Sequence, residues 1–409
     1  MKLSYVIVTH NRRDPLLRTL GILHTTTPDS VGAWECHVVD NASTDGSVEA
    51  VQAQFPGVIV HRRRRNEGVA ARNHGIFAAA GQYIVLLDDD SYPTGDAVAR
   101  SIAYLDAHPG VAAVVGRCDL PDGSSEACAF PTVMLSGAVC VRRSVFEEVG
   151  GFRPEFFRKA GEYDVSFRIW EAGFTIERFE DIVYRHDKVL AGRSASLAHR
   201  MDLRNNLILC ERFLPQPLRG HYRADWAQRY VALARHEGCA NAARVARLEA
   251  ALWGLREMAR GRQELTMAVV DQVLHLSEQQ QLVRDWAADR GLRRVIVADY
   301  GKNLFATVLA CRTAGLTVLG IADNHAAYTG LNYRGIPIVP DDALMHHHAA
   351  GIVLSTINPA QIDRRVSQLR NRYDLPVLRL WKPRLMPSAD AATEPLVRLQ
   401  LATLTRQAG

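Results

Sequence analysis

The fold of this chain is decided by the stretch Tyr83-Ile84-Val85-Leu86-Leu87-Asp88-Asp89-Asp90-Ser91. Its wholly apolar part lacks helical spacing and predicts a strand that is buried on both faces. Three adjacent carboxylates follow, at the position where open parallel sheets bind ligands. Because clustered carboxylates repel one another, we expect a positive group beside them, and a divalent cation carrying a nucleotide diphosphate has suitable chemistry. A solvated acidic turn is the alternative interpretation.

Strands and helices alternate on both sides of this stretch. Short apolar segments predict strands at residues 3–8, 36–40 and 58–60. Residues 68–80 are predicted to form a helix that ends at Gly81. This alternation predicts an α/β fold with a mostly parallel, doubly wound sheet, and the carboxyl ends of its strands are expected to converge on one crevice.

The pattern divides the chain into four parts. Residues 1–215 are predicted to form the main α/β domain, 216–290 a helical connector, 291–380 a smaller α/β domain and 381–409 a tail with a helix near its end. Within the main domain, Val133 to Val141 is predicted to be a strand whose small residues allow a ligand to approach closely. The smaller domain mimics half of a dinucleotide-binding fold, but only one of the three expected glycines is present.

Composition is typical of an ordinary soluble globular protein, with 47% hydrophobic and 23% charged residues. The net charge of +5 is a mild excess that does not indicate nucleic acid binding. Much of this charge lies in His61–Arg65, which is typical of a solvated face but also suits phosphate or an anionic membrane surface. Seven scattered cysteines without a C-x-x-C pair predict reduced thiols in the cytoplasm. We expect neither a signal peptide nor a membrane-crossing segment.

Six motifs resemble, in order, those of the family-two glycosyltransferases, which have the GT-A fold. They are Val6–Arg12, Val39–Ser47, Asn66–Gly75, Leu87–Asp90, Gly137–Val139 with Phe146–Phe152, and Glu162–Arg168. The resemblance implies an inverting transfer of a sugar from a nucleotide-diphosphate donor to an acceptor hydroxyl, with Mn²⁺ or Mg²⁺ as cofactor. The acceptor would be a saccharide, a lipid-linked molecule or another hydroxyl compound, as in polysaccharide or glycoconjugate biosynthesis.

The resemblance also implies roles for single residues. Asp90 is expected to ligate the metal, Asp88 to contact the ribose or a metal-bound water, and His186 to reach the metal or the β-phosphate. The positions implied for nucleotide-sugar binding are Thr9, Asn11, Arg12, Asp40, Asn41, Arg65, Asn66, Gly68, Arg72, Asn73, Asp88, Asp89, Gly137 and Arg204. Asp40 as a helix cap, His186 as a structural residue and Arg204 on a solvated helix face are the open alternatives.

An inverting displacement needs a general base for the acceptor hydroxyl. The resemblance aligns Glu162 with the catalytic Asp of the family. Gly161 stands where an upstream acid is usual, which is a departure from the family pattern. Asp164 is the second catalytic candidate, and capping or a dipole interaction at the first turn of a helix is its structural alternative.

Two other functions remain open from the sequence. The first is an inactive GT-A domain that binds sugar nucleotides in a regulatory role, which the Gly161 departure keeps open. The second is a sugar nucleotidyltransferase, which the lack of a glycine-rich triphosphate loop disfavours. The smaller α/β domain resembles the Rossmann-like domains found beside sugar-nucleotide enzymes, with either ligand binding or assembly as its role. Association with the inner face of the cell membrane and homo-oligomerisation are further hypotheses.

Overall fold

The computed structural model describes residues 2–126, 128–188, 194–346 and 348–387. The first β-sheet has the strand order β3-β2-β1-β4-β7-β6-β8-β5. Its strands are β1 (Leu3–Thr9), β2 (Trp34–Asp40), β3 (Ile59–Arg62), β4 (Tyr83–Asp88), β5 (Ser91–Pro93), β6 (Val111–Asp119), β7 (Val139–Arg142) and β8 (Thr175–His186). The helices connecting them are α1 (Arg13–Thr26), α2 (Ser47–Gln54), α3 (Arg72–Ile76), α4 (Ala97–Ala107), α5 (Arg143–Val149) and α6 (Gly161–Glu171).

Strand β4 is the predicted buried strand, and residues 83–87 are all 0% exposed. It pairs in parallel with β1, which in turn pairs in parallel with β2. This register places Thr9 beside Asp40, and Val8 beside Asp88. The carboxyl ends of the three strands therefore lie at one edge, and the predicted α/β fold class is confirmed.

The outer half of this sheet is mixed in direction, because β7 runs antiparallel to β4 and β6, and β5 runs antiparallel to β8. The strand predicted from Val133 begins only at Val139. Before it, the amide of Met134 donates to the Ser166 hydroxyl at 3.0 Å, so the chain makes local bonds there instead of ladder bonds. The predicted helix at 68–80 is also shorter, because a 3₁₀ turn at Gly68–Ala71 leads into α3.

Residues 195–290 are largely helical, as the sequence predicts. They form α7 (Ala195–Phe213), α8 (Leu218–His236), α9 (Ala240–Arg260), α10 (Met267–Leu274) and α11 (Leu276–Arg290). In the part of the chain that the structure describes, we find no helix that is both long and apolar enough to span a membrane.

A second sheet has the order β11-β12-β10-β9-β13-β14, and β11–β12 is its antiparallel pair. The elements are β9 (Arg294–Ala298), α12 (Leu304–Thr313), β10 (Thr317–Ala322), β11 (Asn332–Tyr333), β12 (Ile336–Val339), β13 (Ile352–Leu354), α13 (Ile362–Arg372) and β14 (Val377–Arg379). The chain then returns to the first sheet, where the amide of Glu180 donates to the Arg384 carbonyl at 2.9 Å. The four domain boundaries and a Rossmann-like role for this unit stay predictions, and the helix predicted near residue 400 lies outside the described residues.

Lys302, in the turn after β9, joins the second α/β unit to the first. Its Nζ atom lies 4.2 Å from the ring centroid of Tyr163 and 5.0 Å from that of Trp226. The same atom donates to Asn206 Oδ1 at 2.6 Å, while burial lowers the pKa of the lysine to about 7. Since Tyr163 belongs to α6, the second unit contacts the helix that carries both catalytic candidates.

A buried ion network links α6, α7 and α9. Arg212 lies 3.1 Å from Asp164, 2.8 Å from Glu155 and 2.7 Å from Glu257, measured between nitrogen and oxygen atoms. Asp164 also pairs with Arg168 at 2.6 Å, and its side chain is fully buried. Asp164 and Glu257 are both buried, so guanidinium groups must compensate the charges of these two carboxylates.

We expect Arg212→Met to lower the free energy of unfolding by about 3–5 kcal/mol, because it leaves buried carboxylates without their counter-charge. Chemical denaturation followed by circular dichroism measures this change. Arg293→Met, at an exposed arginine, is the matched control and should change stability by less than about 0.5 kcal/mol. Equal effects of the two substitutions would mean that the network contributes nothing to stability.

Candidate functional site

A cavity of about 680 Å³ opens at the carboxyl ends of β1 and β4. It contains nine of the residues predicted as site residues, which are Asn11, Arg12, Arg72, Asp88, Asp89, Asp90, Gly137, Glu162 and His186. The parallel register of β1 and β4 brings residues 11, 12 and 88–90 together, and Arg72 reaches Asp88 from the start of α3. The cavity lies where the sequence places the crevice.

Two arginines of the chain contact the acidic triplet directly. Arg72 pairs with Asp88, and Arg12 pairs with both Asp89 and Asp90. The distance from Arg12 Nε to Asp89 Oδ1 is 3.1 Å, and the Thr9 hydroxyl donates to Asp89 Oδ2 at 2.9 Å. The positive group expected beside the carboxylates is therefore supplied in part by the protein itself.

His186 connects the triplet to a second charged pair. Its Nε2 atom lies 3.0 Å from Asp90 Oδ1 and its Nδ1 atom 3.1 Å from Glu126 Oε1, while Lys188 lies 2.8 Å from that same oxygen. Burial opposes the charged form of the imidazole, but hydrogen bonds to Asp90, Cys118 and Glu126 raise the pKa of His186 to about 12. The histidine thus faces carboxylates on both sides.

The donors at this point fit part of a metal site. Among the described residues, no group of three or more His, Cys, Asp or Glu side chains is placed to hold a metal ion. Asp90 and His186 carry a carboxylate and an imidazole, which are donor types that suit first-row divalent metals. Their 3.0 Å contact is an ion pair, so the imidazole must lose its proton and the pair must open before the two groups can hold an ion. Divalent ions that act on nucleotides take one or two protein ligands and complete their shell with phosphate oxygens and water.

Glu162 lies in the first turn of α6 and faces the same cavity. Its Oε1 atom accepts a hydrogen bond of 2.6 Å from the Ser136 hydroxyl. A side chain at the preceding Gly161 would be crowded, since a Cβ atom there would lie 3.0 Å from Val69 Cγ2 and 3.4 Å from Phe152 Cδ1. An upstream acid at this position would thus require Val69 to shift, whereas Glu162 reaches the cavity without such a change.

Asp164, the other catalytic candidate, lies elsewhere. Its side chain is 0% exposed, it does not line the cavity, and its carboxylate is held by Arg153, Arg168 and Arg212. This environment favours its structural alternative, in which it anchors the first turn of α6 and thereby the position of Glu162.

Asp40 and Asn41 bind backbone at the end of β2. Asp40 Oδ1 accepts from the amide of Ser43 at 3.1 Å. This bond lies in the loop before α2, whose N-cap is Gly46, so Asp40 is not a helix cap. Asn41 donates to Asn66 Oδ1 at 2.9 Å and accepts from the Glu67 amide at 2.7 Å. These contacts shape the loops beside the cavity, and nucleotide binding by Asp40, Asn41 and Asn66 stays a prediction.

Gly68 and Asn73 fix the loop that precedes α6. Gly68 has a φ of +63°, and a Cβ atom there would lie 1.9 Å from the carbonyl oxygen of Phe157, so only glycine fits. The side-chain amide of Asn73 donates to the Phe152 carbonyl and accepts from its amide, both at 2.8 Å. Both residues hold backbone together just outside the cavity.

Two arginines that were predicted to bind the nucleotide sugar, Arg65 and Arg204, lie away from the cavity. Arg65 is exposed and borders a surface depression with Arg62, Arg63 and Arg64. Arg204 donates to the Glu155 carbonyl at 2.8 Å and lies 3.7 Å from Glu249. Their predicted contact with the nucleotide sugar would require a ligand that extends beyond the cavity or a movement of these side chains.

Several residues lining the cavity were missed by sequence reasoning. They are His10, Glu126, Ser136, Arg158, Lys159 and Lys188. Arg158 and Lys159 lie three and two residues before Gly161, so their closeness to Glu162 in the sequence was the available signal. Lys159 and Ala160 have φ values of +69° and +60°, a strained conformation for residues other than glycine.

Asn205 holds this strained turn in place. Its side-chain amide donates to the carbonyl oxygens of Arg158 at 2.7 Å and Lys159 at 2.8 Å, and the residue is 0% exposed. We expect Asn205→Ala to lower the free energy of unfolding by about 1–3 kcal/mol, because two carbonyl groups lose their donor. Denaturant titration measures the change. The control is Asn241→Ala, at an exposed position of α9. Equal losses of stability from the two substitutions would exclude this anchoring role for Asn205.

One cavity at the edge of the first sheet is thus lined by acids, arginines and a histidine. Such a set of charged side chains is suited to binding a phosphorylated ligand. Residues 4–132 match the family model "Glycosyl transferase family 2". For this stretch of the chain, the match confirms the resemblance to the family-two glycosyltransferases that the motifs carry.

Curated relatives each match less than half of the chain. An uncharacterized glycosyltransferase of Bacillus subtilis, YwdF, is 33% identical over 95 residues, which are 23% of this chain and 34% of that protein. Glycosyltransferase AglE of Haloferax volcanii is 26% identical over 205 residues, which are 45% of this chain and 66% of that protein. The chain thus spans about a third of the length of YwdF and just under two thirds of the length of AglE. A solved structure of S. aureus TarS has a TM-score of 0.45 and 18% identity, covering 58% of this chain and 74% of that one.

Proposed function

We propose that this protein is a metal-dependent inverting glycosyltransferase that moves a sugar from a nucleotide-diphosphate donor to an acceptor hydroxyl. The observation that carries the proposal is the shared cavity of Glu162 with Asp90 and His186. A carboxylate for proton transfer and donors for a divalent ion thus border the same space. The family-two match of residues 4–132 supports the same reaction.

Asp90 and His186 would hold the divalent ion, with Asp88 close by for a water-mediated contact or the ribose. When bound, Mn²⁺ or Mg²⁺ offsets the charge that develops on the departing diphosphate. Lys159 lines the same cavity and brings a further positive charge to it. Arg12 and Arg72 keep the carboxylates in place, and both are positioned to exchange a carboxylate partner for a phosphate oxygen.

Glu162 would act as the general base. The carboxylate oxygen that does not bind Ser136 takes the proton of the acceptor hydroxyl. As this proton leaves, the oxygen of the acceptor hydroxyl forms a bond to the anomeric carbon. The bond from this carbon to the nucleotide diphosphate breaks at the opposite face, so the configuration inverts. The Ser136 hydroxyl fixes the other carboxylate oxygen and so orients the base.

The acceptor is proposed to be a saccharide or a lipid-linked hydroxyl compound in the cytoplasm, in polysaccharide or glycoconjugate biosynthesis. A relative that is 33% identical over 106 residues, covering 24% of this chain and 16% of that protein, is a poly(ribitol-phosphate) beta-glucosyltransferase of Bacillus spizizenii. The name of that relative describes transfer of a glucosyl group to poly(ribitol-phosphate), which suits this class of acceptor.

A thermal-shift panel of UDP-, dTDP- and GDP-sugars, with and without Mn²⁺, tests the donor half of the proposal. We expect one nucleotide class to raise the melting temperature in the presence of Mn²⁺, and to release nucleoside diphosphate when acceptors are added. Stabilisation without release across a broad acceptor screen would support a regulatory binding protein instead. Absence of stabilisation by every donor would refute both functions.

A further inference from the structure

Helix α9 carries a continuous apolar row on its outward face. Val245, Leu248, Leu252 and Leu255 are 42, 68, 60 and 59% exposed. Their spacing of three and four residues aligns them along one side of the helix. The opposite side is buried and holds Ala243, Ala246, Ala250 and Gly254. A contiguous exposed row of this kind marks an interaction surface, and we name these four side chains the α9 stripe.

Positive charge borders the α9 stripe on both sides. Helical geometry places Arg244 and Arg247 along one border and Arg256 and Arg260 along the other, and all four are exposed. Helical geometry places Glu249 between Arg256 and Arg260, but both carboxylates of α9 are engaged by arginines of α7. Glu249 pairs with Arg200, and Glu257 is buried against Arg212. The outward face of α9 therefore presents leucines and arginines, while both carboxylates of the helix are paired.

A groove between α8 and α9 extends this surface. Its volume is about 600 Å³. It is lined by Leu207, Gly220, Ala224, Ala227, Leu248 and Ala251, together with Arg223, Arg244 and Arg247. Arg223 also contacts Glu211 at 3.0 Å, so the other two arginines contribute most of its net charge. An apolar floor beneath guanidinium groups matches the acyl chain and the phosphate of an anionic lipid.

We propose that the α9 stripe and its arginine borders dock this protein on an anionic lipid surface. The helix lies parallel to the membrane, with its leucines in the boundary between headgroups and acyl chains and its arginines at the phosphates. A second copy of the chain fits this face less well, because the two sets of arginines would oppose each other. The run Arg62–Arg65 is also a weaker candidate, since Arg62 and Arg63 pair with Glu49 and Glu67.

Flotation of the full chain with lipid vesicles tests this proposal. We expect binding to vesicles of phosphatidylcholine with phosphatidylglycerol, and little binding to vesicles of phosphatidylcholine alone. Replacing Leu252 and Leu255 together by serine should lower the partition coefficient about tenfold or more. Arg244→Glu with Arg247→Glu should lower it by a similar factor and weaken its salt dependence.

The matched controls lie elsewhere on the surface. Leu385→Ser removes a leucine that is 71% exposed, and Arg64→Glu removes an exposed arginine of the basic run. Both should bind vesicles as the unaltered chain does. Vesicle binding that survives both α9 variants, or is absent in the unaltered chain, would overturn the proposal. So would a dimer, seen by light scattering, that the leucine variant dissociates without any change in vesicle binding.

Discussion

Glu162→Gln is expected to lower kcat for sugar transfer by about 10²–10⁴-fold while leaving the KM for the donor within about threefold. The substitution keeps the size of the side chain and its acceptor for the Ser136 hydroxyl. It removes the negative charge that takes the acceptor proton. Because the base acts only as the acceptor hydroxyl attacks, donor binding should persist. Initial rates at saturating donor and acceptor, measured by release of nucleoside diphosphate, give both constants.

Glu171→Gln, at the exposed end of the same helix, is the matched control and should retain full activity. Ser136→Ala keeps Glu162 charged but frees its carboxylate, so we expect a smaller loss, of about tenfold. A Glu162→Gln enzyme with normal kcat would exclude Glu162 as the base. Melting temperatures of the variants within a few degrees of the unaltered protein would show that any loss is not caused by unfolding.

The sequence predicts the strand β4 and its acidic end well, because both are local. An apolar run without helical spacing needs no knowledge of distant residues to be read as a buried strand. The parallel order of β1, β2 and β4 then follows from the alternation of strands and helices. Since parallel strands end at one edge, the proximity of residues near Thr9, Asp40 and Asp88 could be predicted as well.

The arginines that pair with the acidic triplet could not be predicted from local sequence patterns. Arg72 pairs with Asp88 although 15 residues intervene, and Arg12 reaches Asp89 and Asp90 from the loop after β1. Such pairs depend on where two separate segments meet in space. The sequence predicted a positive group but could not say that the chain supplies part of it, because sequence spacing does not tell which distant carboxylate an arginine will meet.

The loops that complete the cavity were the hardest to predict. Residues 133–138 have the composition of a strand, yet the hydroxyl of Ser166 takes up the amide of Met134 and turns the chain away from the ladder. Similarly, Lys159 and Ala160 adopt positive φ values because Asn205, on a distant helix, fixes their carbonyl oxygens. In both places a tertiary hydrogen bond overrides the local preference.

Asp90→Asn is expected to abolish most of the stimulation by Mn²⁺ and to lower kcat/KM by about 10²-fold or more. The carboxylate supplies half of the protein donors at the proposed ion site, and its charge also balances Arg12 and His186. An amide of the same shape keeps an oxygen there but not the charge. Turnover measured across a Mn²⁺ titration should show a half-saturating concentration at least about tenfold higher.

Two comparisons make the Asp90 experiment specific. Asp89→Asn alters the neighbouring carboxylate, which contacts Arg12 and Thr9 instead of His186, and it should leave the half-saturating Mn²⁺ concentration unchanged. His186→Ala removes the nitrogen donor and should raise that concentration as Asp90→Asn does. If Asp89→Asn alone changed the metal dependence, the ion would bind on the Arg12 side of the triplet. Equal Mn²⁺ titrations for all three variants and the unaltered protein would place the metal outside this cavity altogether.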